Sequence, residues 1–204
     1  MKIRFYNDVH LGANNALMTM QEFIEDVIEN WYDKPKDLLL VYLGDNADFA
    51  NCKKSYIEKL NKFFKDIKKH FDLFATGNHE CQGDSDDELN FVDLNGKIYV
   101  FLHSDSLSWG KEKSDKYRAK KHGAGWFKRN IWVNALESAE LLIDRTNSKK
   151  LKKNIETFIL SKRYKIDYLF LAHFHPRENI CLQILGTKVI LLKRGIQTID
   201  TKEL

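Results

Sequence analysis

At 204 residues the chain has the length of one domain, and we predict a single domain over residues 1–204. Hydrophobic residues make up 43% of it and charged residues 30%, which favours a sizeable core beneath a polar surface. The longest apolar run, Leu38–Leu43, is far too short to cross a bilayer, so we expect no transmembrane segment.

Short apolar runs alternate with amphipathic segments through the first half of the chain. Each run is aliphatic or β-branched and ends at a turn signal such as Asn-Asp or Gly-Asp, as expected of buried strands. The segments between them repeat apolar residues every three or four positions, which is typical of helices with one buried face. Strand–helix–strand order predicts parallel pairing. The predicted strands are Lys2–Tyr6, Leu38–Leu43, Phe71–Ala75 and Lys97–Leu102, and the predicted helices are Met20–Trp31 and Ser55–Phe71.

The alternation stops after His103. Residues 104–165 contain no convincing strand, and we predict a helical insertion there, with helices at Trp132–Ile143 and Lys149–Leu160. Strands resume at Tyr168–Ala172. Three further short strands, separated by Leu-Gly and Arg-Gly turns, are expected to form an antiparallel meander. They are Ile180–Ile184, Lys188–Leu192 and Ile196–Asp200.

The N-terminus and the cysteines favour a cytoplasmic protein. The chain enters an apparent strand at once, without the apolar stretch and cleavage site of a signal peptide. The three cysteines, Cys52, Cys81 and Cys181, are odd in number and lack CxxC spacing. Such cysteines are typical of free thiols in a reducing compartment, and we expect neither a disulfide framework nor a zinc knuckle.

Potential metal ligands follow five of the hydrophobic runs, and five of the seven histidines lie there. Imidazole, carboxylate and amide oxygen together suit borderline divalent metals better than calcium or magnesium alone. Ligands bind beyond the carboxyl ends of strands in open α/β sheets, so residues distant in sequence can converge there. The stretches are Asp8-Val9-His10, Gly44-Asp45-Asn46-Ala47-Asp48, Gly77-Asn78-His79-Glu80, His103 and His173-Phe174-His175.

The spacing of the first and last stretches also carries information. In an extended strand end, residues two apart lie on the same face. We therefore expect Asp8 and His10 to point into one site, and His173 and His175 to do the same.

In this order the five stretches resemble the motifs of the calcineurin-like metallophosphoesterases, which are DxH, GDxxD, GNH(D/E), H and GHxH. The resemblance covers roughly residues 1–103 and 166–200 and leaves the insertion unexplained. It implies an α/β fold, the four-layer αββα metallophosphoesterase sandwich, and a metal-dependent phosphoric ester hydrolase. It also implies two divalent metal ions, for which manganese is our first choice in vitro and zinc, iron or magnesium are alternatives.

The resemblance assigns the ligands to two metal sites that share one carboxylate. A bridging carboxylate suits two ions about 3.5–4 Å apart, because one oxygen can face each of them. Neutral histidine and asparagine ligands keep the site from becoming so negative that it repels a phosphate. The implied first set is Asp8, His10 and His175, the second is Asn78, His103 and His173, and Asp45 bridges the two.

The resemblance also implies the catalytic residues. His79 would be the general acid that protonates the leaving oxygen, with Asp8 orienting it. We interpret Asp48 as structural and Glu80 as a residue that caps or positions its own loop. The two remaining histidines, His70 and His122, lie outside the motifs and are expected at the surface.

Two positions depart from the family's pattern. Ala172 stands where the fifth motif usually has glycine, and Ser104 follows His103 where His-Gly is commoner. A methyl group at position 172 is compatible with ordinary backbone angles and strained where φ must be positive. Neither departure removes a ligand.

The second motif limits the range of possible substrates. The Ser/Thr protein phosphatases of this superfamily extend it to GDxxDRG, whose arginine grips the phosphate, whereas here Phe49-Ala50 follows Asp48. We therefore expect hydrolysis of a phosphodiester or pyrophosphate in an anionic substrate, whether a nucleotide, a nucleic acid or a lipid-linked pyrophosphate. A phosphomonoesterase acting on nucleotides or phosphoproteins is the alternative. A non-catalytic scaffold is a third hypothesis, although scaffolds typically lose ligands that this chain retains.

The insertion concentrates positive charge. The formal net charge is +4, but residues 111–129 hold eight Lys or Arg against two acids, a local +6 that leaves −2 for the rest. Tyr117, Trp126 and Phe127 are interleaved with these bases, and Trp132 follows them. Basic side chains neutralise phosphates, and aromatic faces stack bases or cover an acyl chain. A solvated helical face is an equally good interpretation of the same residues.

Overall fold

The structure, a computed structural model, describes residues 1–49, 52–80, 88–116 and 149–204. These residues form two β-sheets with α-helices on their outer faces. The strands are β1 (Lys2–Asn7), β2 (Leu38–Leu43), β3 (Leu73–Ala75), β4 (Glu88–Val92), β5 (Ile98–Leu102), β6 (Tyr168–Leu171), β7 (Ile180–Ile184), β8 (Thr187–Leu191) and β9 (Gly195–Asp200). The helices are α1 (Met20–Tyr32), α2 (Ile57–Ile67), α3 (Asp105–Trp109) and α4 (Lys149–Ser161).

The first sheet has the strand order β3-β2-β1-β9 and the second the order β4-β5-β6-β8-β7. The parallel pairing predicted for the first three strands is confirmed, since β1 pairs parallel with β2 and β2 with β3. In the second sheet β5 and β6 are parallel as well. The predicted metal ligands come directly after the carboxyl ends of β1, β2, β3, β5 and β6.

The predicted C-terminal meander is wrong in its last strand. β7 and β8 form an antiparallel hairpin, but the other side of β8 pairs parallel with β6. β9 leaves this sheet and pairs antiparallel with β1 in the first. Alternating hydrophobicity identifies a strand but does not show which strand it pairs with. The prediction therefore placed three strands that are consecutive in sequence in the same sheet. β4 was not predicted at all.

The alternation of side chains along the strands builds the four-layer αββα sandwich, as expected. From β1, Ile3 and Phe5 enter the core between the sheets, where the Phe5 ring lies 5.0 Å from that of Phe170 on β6. Tyr6 points to the opposite side and packs beneath α1 and α2. On the far side of the second sheet, α3 and α4 cover a third cluster. Both faces of each sheet are therefore buried, as parallel strands require.

The helical insertion is described in part. α4 agrees with the helix predicted at Lys149–Leu160, and α3 begins directly after the fourth motif. The helix predicted at Trp132–Ile143, most of the basic stretch from 117 onward, and Cys81 and His122 lie outside the described residues. Of the described helices, none combines the length and the apolar character needed to cross a membrane.

Candidate metal centre

The predicted ligands and His79 lie together where β1, β2, β3, β5 and β6 end. Contacts between motifs that are distant in sequence establish this, such as the hydrogen bond between Asp8 and His175 and the ion pair between Asp45 and His103. All are buried except His175, whose side chain is 35% exposed. His175 therefore marks the side of this cluster that is open to solvent.

Three groups of side chains bring their potential donor atoms within 4.8 Å of one another. Two of them overlap the ligand sets that the motifs imply, since each combines an implied carboxylate with two implied histidines, and the amide oxygen of Asn78 lies next to the second. The third group centres on Asp48, which we had interpreted as structural. The groups are Asp8, His10 and His175; Asp45, His103 and His173; and His10, Asp48 and His79.

In the first group, Asp8 is held from both sides. Its Oδ1 lies 2.9 Å from Nε2 of His175, and its Oδ2 accepts hydrogen bonds from Nδ2 of Asn7 and the backbone N–H of His173. Burial raises the pKa of Asp8, but the charge and hydrogen bond of His175 outweigh it and hold that pKa below its ordinary value. The carboxylate is therefore ionised, as a metal ligand must be.

In the second group, His103 presents Nε2 to the site. Its Nδ1 donates to the backbone carbonyl of Leu43 at 3.0 Å, while Nε2 lies 3.1 Å from Oδ2 of Asp45 and 3.2 Å from Oδ1 of Asn78. An outer hydrogen bond of this kind fixes the tautomer of a metal-binding histidine. Burial lowers the pKa of His103, but the charge and hydrogen bond of Asp45 raise it to about 10.

His173 leaves an acceptor unsatisfied. Its Nε2 is buried and has no hydrogen-bond partner among the described residues. Burial, with the positive charge of His103 beside it, lowers the pKa of His173 well below its ordinary value, so the ring is neutral. A buried neutral imidazole nitrogen without a partner is costly unless something fills its lone pair. A divalent cation would do so, and the donors around it are imidazole, carboxylate and amide oxygens, which suit one.

Asp48 joins the first and third motifs. Its Oδ2 lies 3.2 Å from Nδ1 of His10 and 3.0 Å from Nδ1 of His79. Burial raises the pKa of Asp48, but the charges and hydrogen bonds of these histidines hold it well below its ordinary value. The interpretation that Asp8 orients His79 is thereby corrected, because the carboxylate against Nδ1 of this ring belongs to Asp48. The last residue of GDxxD, which is Asp48, was the available sequence signal.

Glu80 ties the second motif to the third. Its carboxylate accepts hydrogen bonds from the hydroxyl of Tyr42 and from the backbone N–H groups of Asn46, Ala47 and Gly77. Burial, together with the charge of Asp45, raises the pKa of Glu80 to about 6. The carboxylate therefore positions not only its own loop, as the sequence suggested, but also the loop that carries Asp45.

The two glycines of these motifs permit the loops to touch. A Cβ atom on Gly77 would lie 2.1 Å from Oδ1 of Asp45, and one on Gly44 would lie 2.6 Å from Nδ1 of His103. Gly44 also has a φ of +79°, which L side chains rarely adopt. Any side chain at either position would displace a predicted ligand.

The backbone differs from the extended strand ends that we expected. Asp8 and His10 have φ of 53° and 59°, and His173 and His175 have 76° and 49°, all in the left-handed region. The side chains converge because the chain turns sharply after each strand, and not because residues two apart share a strand face. Ala172 is not among the positive-φ residues, so its methyl group causes no such strain.

Sequence reasoning missed Arg194. It follows β8, and its Nε donates to the backbone carbonyl of Asp8 at 3.0 Å. The preceding residue is fixed to the same motif, since Nδ2 of Asn7 donates to the carbonyl of Lys193. The arginine therefore places a permanent positive charge beside the first motif. No motif pointed to it, because only the path of β9 back to β1 brings this turn to the site.

The remaining histidine of the described part, His70, is half-buried against the ring of Trp31, with centroids 4.6 Å apart, and lies outside the centre. Cys52 is buried and Cys181 exposed, and both are free thiols.

A family model described as Calcineurin-like phosphoesterase matches the chain over residues 1–177. This span contains every motif from Asp8 to His175. No curated protein matches the chain.

Proposed function

The chain belongs to the calcineurin-like phosphoesterases, and on that premise we propose that it hydrolyses a phosphodiester or pyrophosphate bond with two divalent metal ions, manganese in the first instance. The observation that carries the proposal is the pair of potential ligand sets, buried except for His175, each of which contains one ionised carboxylate. The two sets touch, because the N–H of His173 donates to Oδ2 of Asp8.

The ligand assignment follows these two sets. We assign Asp45 to both ions, since its Oδ2 faces His103 of the second set and also lies 4.0 Å from Nε2 of His79, whose ring contacts that of His10 in the first set. When bound, two divalent ions would polarise the phosphoryl oxygens and lower the pKa of the attacking water. Asp8, His10 and His175 would hold one ion, and Asn78, His103 and His173 the other.

His79 is our proposed general acid. Asp48 accepts the proton of Nδ1, which turns Nε2 of the ring toward the ligand sets. The buried carboxylate also stabilises the positive charge of a doubly protonated ring, the form that can give its Nε2 proton to the leaving oxygen. The backbone N–H of His79 donates to Oδ1 of Asp45 at 2.6 Å, so the acid is fixed to the carboxylate that we assign to both ions.

The preference for a diester or pyrophosphate rests on which cation is near the site. The second motif lacks the arginine of the protein phosphatases, and the cation near the site is instead Arg194, which lies beside Asp8. A guanidinium beside the metal centre can bind a neighbouring phosphate oxygen, either of a diester or of the second phosphate of a pyrophosphate.

The proposal is tested by loading the protein with manganese and comparing the turnover of bis-p-nitrophenyl phosphate with that of p-nitrophenyl phosphate. We expect the diester to be the better substrate, and elemental analysis to find two metal ions per chain. Asp45→Ala is the control, since losing the shared carboxylate should remove both ions and all activity.

Each other outcome selects a different function. Faster turnover of the monoester would indicate a phosphomonoesterase. Two bound ions with no turnover of either ester, or of nucleoside diphosphates, would indicate a non-catalytic scaffold. One ion or none under saturating manganese, with activity intact, would contradict the dinuclear assignment.

A further inference from the structure

α1 and α2 cover the outer face of the first sheet, and a groove runs between the two helices on their solvent side. Its volume is about 390 Å³. From α1 it is lined by Ile24 and Ile28, and from α2 by Phe63 and Ile67 together with the charged side chains of Lys59, Lys62 and Asp66. Nothing in the proposed hydrolysis uses this surface, because α1 and α2 pack on the face of the first sheet away from the second.

The helix that forms one wall of the groove, α1, exposes large apolar side chains, of which Ile24 and Ile28 line the groove itself. Ile24 is 37% exposed, Ile28 38% and Trp31 43%, at spacings of three and four residues that place them on one stripe of the helix. The neighbouring stripe, with Phe23 and Val27, is fully buried in the core. A single exposed isoleucine needs no explanation, but a continuous stripe beside an apolar groove indicates a binding surface.

The charges beside the groove are segregated by helix. α1 carries four acids and no Lys or Arg, whereas residues 57–70 carry five lysines and two acids. Glu25 and Glu29 are exposed on α1, as are Lys59 and Lys62 on α2. Among the ion pairs of the described residues, none joins α1 to α2. The acidic helix and the basic helix are neighbours whose charges do not neutralise each other within one molecule.

We propose that this face pairs two copies of the chain about a two-fold axis, with α1 of each copy against the α1–α2 groove of the other. The occupant of the groove must present an apolar helical stripe flanked by carboxylates to the lysines of α2. α1 of a second copy is such a helix, with Ile24 and Ile28 beside Glu25 and Glu29. In a two-fold dimer the same contact forms twice, so each acidic helix meets a basic one.

The apolar part of the proposal is tested by sedimentation velocity at micromolar protein concentration. The unmodified chain is expected to sediment as a dimer, and the double variant Ile24→Glu/Ile28→Glu as a monomer with an unchanged circular dichroism spectrum. Leu94→Glu and Leu185→Glu are the matched controls, because both leucines are exposed and lie on turns of the second sheet. Both controls should remain dimeric.

The charge pattern allows a test that a general loss of folding cannot imitate. One variant carries Glu25→Lys and Glu29→Lys, which makes both sides of the groove basic. A second carries Lys59→Glu and Lys62→Glu, which makes both sides acidic. Each variant alone should be monomeric, and an equimolar mixture should form a heterodimer, since every basic side then meets an acidic one. Raised salt should weaken this heterodimer.

A monomeric unmodified chain at the highest soluble concentration would overturn the proposal. Dimers that survive the double glutamate substitution, or charge variants that do not pair on mixing, would overturn it as well. All these outcomes are independent of whether the metal centre hydrolyses phosphodiesters, because none is read from activity.

Discussion

Five of the proposed metal ligands hold backbone angles that L-amino acids rarely adopt. Asp8, His10, Asp45, His173 and His175 have φ between 49° and 76°, and Ser104 beside His103 has 72°. Each left-handed residue costs roughly 1–2 kcal/mol. Hydrogen bonds across the motifs offset part of this cost, such as that from the N–H of His10 to the carbonyl of Asp45. Strain concentrated in this way is typical of sites where side-chain direction matters more than stability.

The role of His79 as the proposed general acid can be distinguished by mutation from the role of the proposed metal ligands. His79→Gln should lower kcat by roughly 10²–10⁴-fold on an ester with a poor leaving group, the range for a lost proton donor. The loss should be much smaller with p-nitrophenolate as leaving group, and the metal content should stay unchanged. Kinetics on both ester types and elemental analysis measure these effects.

Asp48→Asn is the companion variant, and its expected effects differ. Because Asp48 contacts both His10 and His79, this change should lower metal affinity as well as kcat. Equal losses from His79→Gln on good and poor leaving groups would refute the assignment of His79 as the acid. An Asp48→Asn variant with unaltered metal affinity would show that its contact with His10 has no consequence.

A site residue could be predicted from the sequence only where its chemical type is unusual at that position. Asp8, His10 and the other ligands are distinguishable because few other roles place histidine and carboxylate at strand ends. The turn at Ser104 was not foreseen, since serine has no general preference for positive φ. Its hydroxyl lies 2.8 Å from the carbonyl of Ala172, a contact between the fourth and fifth motifs that only the fold creates. Arg194 was missed for the same reason.

At the scale of the elements, most strands were predicted closely, including β7 at the edge of its sheet, and the strand that was missed is the edge strand β4. β2 has the predicted bounds, since all six of its residues are apolar and it lies inside a sheet. β4 is an edge strand whose residues are half-buried or exposed, so its sequence, Glu-Leu-Asn-Phe-Val, carries too little apolar character to stand out. β9 was found as a strand but given the wrong neighbour, because sheet membership is set by packing and not by local pattern.

The edge strand β4 is anchored by one carboxylate. Glu88 pairs with Lys162, which follows α4, and accepts a hydrogen bond of 2.7 Å from the hydroxyl of Tyr164. Burial raises the pKa of Glu88, but these partners lower it below the ordinary 4.5. The contact should therefore stabilise the fold fully above pH 4.5, and this contribution is lost as the pH falls through the folded-state pKa.

Glu88→Gln should lower the free energy of unfolding by about 0.5–1.5 kcal/mol at neutral pH, the range for an ordinary hydrogen bond, because solvent screens the charge of this half-buried pair. The difference from the unmodified protein should shrink as the pH is lowered below 4.5, because the native carboxyl then becomes protonated too. Urea unfolding at several pH values measures both quantities. Glu178→Gln is the control, since this glutamate is exposed after the fifth motif and should have little effect. A difference that stays constant with pH would exclude the carboxylate as the cause.

At the scale of the whole molecule, the two sheets bring five strand ends to one site and leave the insertion between β5 and β6. The insertion follows His103 directly, so its first helix, α3, begins at the metal centre. The Trp109 ring lies 5.0 Å from that of His173. The net charge of +6 over residues 111–129 is thus connected in sequence to the proposed active site, although residues from 117 lie outside the described part.

This connection leads to a prediction about the substrate class. Neutralising Lys120, Lys121, Lys128 and Arg129 to glutamine should weaken binding of a fluorescent oligonucleotide, measured by anisotropy, if the natural substrate is a polyanion. Turnover of bis-p-nitrophenyl phosphate should stay nearly unchanged, because that ester needs only the metal centre. The affinity of the unmodified protein should fall steeply with salt, by a log–log slope of about 0.9 for each duplex phosphate neutralised, and the slope should be shallower for the variant.

A control with the same change in net charge separates a local effect from a general one. Glutamine at Lys2, Lys36, Lys65 and Lys69, which are exposed and lie outside the basic stretch in sequence, removes four charges and should leave the oligonucleotide affinity much closer to that of the unmodified protein. A shallow salt dependence for the unmodified protein would instead favour a nucleotide or a lipid-linked pyrophosphate, whose few phosphates release few counterions. If both fourfold variants bind the oligonucleotide equally, the basic stretch is a solvated face, and substrate selection must then come from the metal centre and Arg194.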